Sequence, residues 1–102
     1  MDSKYGAIDN QQLSNNYEDI AKQIFSCLIK KEESDTNLSF FITCLIHRIH
    51  GLNSIVGSQP ELITVMSLLE DAKIEHNFRI YRKFILDACS IMYRLKNDME
   101  II

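Results

Sequence analysis

The stretch NLSFFITCLIHRIHGLNSIVGS, residues 37–58, decides the fold. Advanced at about 100° per residue, its Leu38, Ile42, Leu45, Ile49, Leu52 and Val56 fall on one stripe, with Phe41 and Ile46 beside it. That period belongs to an amphipathic helix and not to the two-residue alternation of a half-buried strand. The helix is predicted from about Asn37 to Ile55. Asp35 or Thr36 is available as its N-cap, and Gly57 can end it in a left-handed conformation. The face opposite the stripe is unusual. His47 lies there with Phe40, Cys44, Gly51 and Ser54, and His50 stands to one side. An ordinary solvated face carries Lys and Glu; this one has an aromatic ring and a gap where Gly51 lacks a side chain. A glycine inside a helix costs about 1 kcal/mol relative to alanine. An apolar surround with a gap beside a titratable group reads as a docking site built from Phe40, Cys44, Gly51 and Ser54.

Three more segments share the helical period. The first runs from about Asn16 to Glu33, with Tyr17, Ile20, Ala21, Ile24, Cys27 and Leu28 inside. The third begins at SQPEL. Ser58 or Gln59 takes the cap position, Pro60 sits near the first turn, and Glu61 favours the N-terminal dipole. It carries Leu62, Val65, Met66, Leu69 and Ala72 and fades near Glu75. The fourth runs from His76-Asn77 to about Asn97, with Phe78, Tyr81, Ile85, Ala88, Met92 and Leu95 as its inner stripe. Arg79, Arg82, Lys83 and Arg94 form its solvated face, and Tyr81 and Tyr93 are expected to keep their hydroxyls at the rim. Residues 1–15 are polar, lack a period and are expected to form a mobile arm. Residues 16–102 are then one all-α domain, an antiparallel up-down four-helix bundle with short connections.

The chain's 102 residues suffice for one domain, and nearly half are apolar, enough for a core without metal or disulfide staples. A net charge of −3 with no clustered basic face argues against nucleic-acid binding. Cys27, Cys44 and Cys89 are odd in number and widely spaced, and read as reduced thiols of a cytoplasmic protein. No close cysteine pair points to zinc, and His47 with His50 lacks a third ligand, so no metal site is expected. The N-terminus lacks the pattern of a signal peptide, and the uncharged run Thr36–His47 is too short to span a bilayer.

His47-Arg48-Ile49-His50-Gly51, then Leu52 to Val56, then Gly57, resembles the histidine-containing phosphotransfer (HPt) domain of two-component phosphorelays. That family places His, any residue, an aliphatic, usually Lys or Arg, and Gly on one helix, followed after five residues by a second Gly. Its next helix often ends in a leucine-glutamate pattern, matched here by VMSLLEDA, residues 65–72. The resemblance covers the four-helix span 16–97, with 47–57 carrying the motif. Two departures stand out: His50 replaces the usual Lys or Arg, and SQP lengthens the loop after Gly57 by about one residue.

The resemblance implies that His47 is the phosphoacceptor. It takes a phosphoryl group from an aspartyl phosphate on the receiver domain of a hybrid sensor kinase and passes it to the receiver of a response regulator. The imidazole must be exposed, neutral and held in one tautomer, with Nε2 as nucleophile. A carboxylate or amide on the next helix would accept the Nδ1 proton; Glu70 is the first candidate and Gln59 the second. Arg48 and His50 would steer the phosphate or an acidic receiver surface, and Gly51 would let the donor approach. No cofactor is expected on this chain, since the Mg²⁺ ion belongs to the receiver. No Gly-rich phosphate loop is present, so a phosphoryl carrier without ATP-dependent autokinase activity is expected. One copy is expected to be enough. The chain could be free-standing or the C-terminal domain of a hybrid kinase. The alternative is a non-phosphorylated helical adaptor or inhibitor that acts by protein–protein contact alone.

Overall fold

Four helices carry the chain in the computed structural model, which describes residues 10–100: α1 (Asn10–Glu32), α2 (Leu38–Val56), α3 (Pro60–Ile74) and α4 (Phe78–Glu100). Contacts between elements set their directions. Lys30 lies over the ring of Phe41 near the end of α1 and the start of α2, while Arg48, further along α2, reaches back to Asp19. Those two helices are therefore antiparallel. Lys73 at the end of α3 bonds Thr43 near the start of α2. Tyr81 near the start of α4 bonds the Cys27 carbonyl, and Lys96 near its end pairs with Glu18 of α1. Consecutive helices pack on one another, and α4 closes the ring onto α1. The described residues thus form an all-α antiparallel four-helix bundle, in which α2 and α4 lie diagonally opposite.

The core is the one the helical period requires. The α1 and α2 stripes are buried, apart from half-buried Val56, and Leu62, Val65, Leu69, Ala72, Tyr81, Ile85, Ala88, Met92 and Leu95 complete the core. Phe78 departs from the expected stripe: it begins α4, is 38% exposed and stacks on Tyr81. Tyr81 departs the other way. Its side chain is fully buried, and its hydroxyl donates to the Cys27 carbonyl at 2.9 Å instead of reaching the rim. A buried hydroxyl needs such a partner, and one is supplied from α1. Tyr93 is exposed as expected.

The connections follow backbone chemistry. Gly57 closes α2 with φ 88°, its N–H bonded to the Asn53 carbonyl, a left-handed cap of the expected kind. Pro60 takes the first position of α3, after Gln59 at the cap. Asn77 caps α4, its Oδ1 accepting from the N–H groups of Arg79 and Ile80. Before α2, the Asp35 side chain accepts from the Asn37 N–H, so Asp35 serves the turn while Asn37 occupies the cap position.

One boundary moves. α1 begins at Asn10, so residues 10–15, expected in the polar arm, are helical. Ser14 is buried and Leu13 packs half-buried against the core. Amide pairs one turn apart, Gln11 with Asn15 and Asn16 with the Gln12 carbonyl, support the added turns. Residues 1–9 of the expected arm lie outside the described residues. No described helix is long and apolar enough to cross a membrane.

A candidate phosphoacceptor face on helix two

Helix α2 holds its outer face by packing the inner one. Leu45 and Ile49 bracket His47 in sequence and are buried, so the backbone that carries the imidazole is anchored on both sides. His47 itself is exposed, as are Phe40, Cys44, His50, Gly51 and Ser54. Phe40 is 71% exposed, a large apolar surface left to solvent seven residues before His47. The structure therefore brings together on one face the residues that the helical wheel grouped. Nothing lies within 4 Å of a Cβ placed on Gly51, so the space beside His47 is open.

Arg48 is the only Asp, Glu, Lys or Arg in α2, and it is not free. Its Nη1 donates to Asp19 Oδ2 at 2.6 Å and its Nη2 to Asn16 Oδ1 at 3.1 Å, both on α1. In the free chain the guanidinium thus bridges the α1–α2 seam, and any steering by Arg48 would start from that bridged position. Arg48 also divides the seam into two shallow grooves. One, of about 320 Å³, is lined by His47, Gly51, Ile55, Asn16 and Ile20; the other, of about 200 Å³, by Cys44, Phe41 and Gln23.

The proposed orienting groups stand elsewhere. Glu70 pairs with Lys73 at 3.4 Å on its own helix, and Lys73 in turn bonds Thr43. Gln59 lies in the α2–α3 turn, where its backbone N–H donates to Asn53 Oδ1 at 2.6 Å. Among the described residues His47 has no hydrogen-bond or ion-pair partner. The two glutamate and glutamine candidates are therefore not joined to the imidazole in this state, and the ring is oriented by neither. Its groove neighbours come from α1, because Arg48 pulls that helix against this side of α2.

Asn53 was missed by the reading of the sequence. It is buried inside α2, its side chain accepts from Gln59 and its carbonyl from both Gly57 and Ser58. It builds the turn into α3, and its signal was a polar residue four positions before a helix-ending glycine. Of the cysteines, Cys27 and Cys89 are buried and Cys44 is exposed. Burial pushes the Cys27 thiol up to about 12 and the Cys89 thiol to about 11, so both are inert as nucleophiles. No three His, Cys, Asp or Glu side chains among the described residues converge into a metal-binding group. Compared with protein-family models, with curated proteins and with solved structures, the chain gives no significant match.

Proposed function

We propose that this protein is a phosphoryl carrier of the HPt kind, with His47 as the acceptor. The observation that carries the reading is the exposed, unpartnered imidazole of His47 on a rigid helix, with open space over Gly51 one turn away. Phosphoryl transfer asks little covalent work of a carrier; it asks for a nucleophile presented in line and a surface that positions the donor. Nε2 attacks phosphorus, the bond to the donor aspartate oxygen breaks, and the phosphoryl group rests on nitrogen until a second receiver takes it. Phe40 and Cys44 supply apolar contact for that receiver, and the Mg²⁺ ion comes with it. Orientation of the ring then falls to the docked partner, since neither Glu70 nor Gln59 holds it in the free chain.

A second reading has its own support. An imidazole with no partner to fix its tautomer, on a face that exposes Phe40, also suits an adaptor that binds through the same surface without chemistry. One experiment separates them. A phosphorylated receiver domain is mixed with wild type and His47→Gln, and intact mass is read. A single acid-labile phosphoryl gain in wild type alone supports the carrier. No gain from a panel of receivers, with the bundle folded by circular dichroism, favours the adaptor.

A further inference from the structure

Away from His47, α1 and α4 frame a groove of about 630 Å³ whose walls are largely apolar. Phe25, Leu86 and Tyr93 line it, Phe25 half-exposed and Tyr93 39% exposed, with Arg94 and Asn97 at one end. A half-exposed phenylalanine is apolar surface that water covers at a cost.

The bundle's cations are distributed unevenly, and one of the unpaired ones, Arg94, lines this groove, with Arg82 one turn before Leu86. Seven of the ten described Lys and Arg side chains have a partner in the bundle. Lys22 and Lys96 share Glu18, Lys30 takes Asp35, Arg48 takes Asp19, Lys73 takes Glu70, Lys83 takes Asp87, and Lys31 donates to the Glu75 carbonyl. The remaining three, Arg79, Arg82 and Arg94, are exposed, and all three belong to α4. Glu18 of α1 and Asp87 of α4 are engaged by lysines, and no ion pair joins Arg94 to exposed Asp98, one turn further along α4. In a chain of net charge −3, the unmatched cations are thus gathered on one helix.

We propose that the α1–α4 groove docks an acidic amphipathic helix of a partner protein, independently of the His47 face. Arginine forks match carboxylates, and Arg82 and Arg94 flank the apolar stretch along α4. From Leu86 to Asn97 the helix rises by about 16 Å, the length of three turns of a bound helix with anchors at i, i+4 and i+7. A second copy fits poorly, because a two-fold interface here brings the unpaired arginines of both copies together. Nucleic acid fits poorly, because three guanidinium groups beside an apolar wall do not make a phosphate track. α4 lies diagonally across the bundle from α2, and the two grooves share only α1, through Asn16 and Ile20 on one and Phe25 on the other.

The test is a nuclear magnetic resonance titration of the ¹⁵N-labelled full chain. The probe is a synthetic helical peptide with leucine at i, i+4 and i+7 and glutamate elsewhere; a lysine-for-glutamate peptide is the control. The expected result is saturable shifts at Phe25, Leu86, Tyr93 and Arg94, weakened about tenfold or more by R82E/R94E. The lysine peptide should bind the reversed variant better than wild type. Shifts confined to α2, no saturable shift, or equal affinity for both chains would overturn the proposal. So would tighter binding to duplex RNA or to vesicles of anionic lipid, or a dimer in sedimentation that Phe25→Glu dissociates. Both substitutions are at exposed positions, and circular dichroism checks the fold. Phosphorylation of His47 in R82E/R94E reads the two surfaces separately.

Discussion

Replacing Gly51 by alanine should make the protein more stable and a worse carrier. Gly51 is inside α2 and exposed, and a Cβ there meets nothing within 4 Å. No steric term opposes the change, so the helix-propensity difference of about 1 kcal/mol appears as stabilisation. Unfolding entropy of about 2 cal/mol/K per residue gives about 0.2 kcal/mol/K for a domain of this size, so Tm should rise by about 5 °C. Gly57→Ala is the control with the opposite sign. It too has open space, but its φ of 88° lies in the left-handed region, where a Cβ costs about 1–2 kcal/mol. Thermal unfolding followed by circular dichroism measures both. The functional half uses Gly51→Ala and Gly51→Leu in the receiver assay. If Gly51 clears the approach to His47, displacing the donor by a side chain should slow transfer on the order of ten- to a hundredfold, most for leucine. A lower Tm in Gly51→Ala would refute the helix argument. Unchanged transfer in Gly51→Leu would refute the clearance argument and leave Gly51 without a reason for its cost.

Three further outcomes follow from the same geometry. Tyr81→Phe deletes a buried hydrogen bond to the Cys27 carbonyl and should cost about 1 kcal/mol in urea unfolding; no loss would mean that the hydroxyl is bonded equally well to water. Alkaline pH should destabilise the fold: below the ordinary thiol value of 9.0, Cys27 and Cys89 are protonated in both states. As pH rises toward their folded values of about 12 and about 11, the unfolded chain loses protons first, so stability falls by up to ~1.4 kcal/mol per pH unit per thiol. Cys27→Ala/Cys89→Ala should flatten that slope, and a slope that persists unchanged would assign it to other groups. Arg48→Ala, which breaks a half-exposed ion pair, should cost no more than about 1 kcal/mol. It should leave His47 competent for transfer, and complete loss in a folded variant would assign a steering role to Arg48.

Periodicity carried the architecture because each helix has an apolar stripe wide enough to define its inner face. The same wheel placed His47, Phe40, Cys44, Gly51 and Ser54 outside, and each is exposed. What a wheel cannot supply is a partner distant in sequence. Arg48 is bound by Asp19, 29 residues earlier, and the Tyr81 hydroxyl by the Cys27 carbonyl, 54 residues earlier; the wheel shows neither contact, and Tyr81 was placed at the rim for that reason. The start of α1 was missed because residues 10–15 show little apolar period. Their helix is held by amide pairs and by Ser14, small enough to be buried. Phe25 gave a visible signal, an aromatic off the α1 stripe, but the groove it forms with Leu86, Tyr93 and Arg94 depends on packing between helices distant in sequence.

The composition of α2 explains why its outer face can be uncharged without loss of the fold. An isolated helix of this length with a central glycine and several β-branched residues would be marginal. Its order comes from Leu38, Ile42, Leu45, Ile49 and Leu52 packed against neighbouring helices, and from Arg48 fastened to α1. None of those contacts uses the outer face. Phe40, Cys44, His47, Gly51 and Ser54 are thereby released from stabilising the bundle and can be chosen for what they meet. His47 on such a helix has a fixed position without a fixed partner, as the proposed acceptor role requires. On α4 the arrangement is the reverse: the outer face keeps its charges, with Arg79, Arg82 and Arg94 exposed and Arg94 lining an apolar groove. The bundle thus supports two surfaces that differ in chemistry, one apolar around His47 and one cationic along α4, held apart by a core that neither disturbs.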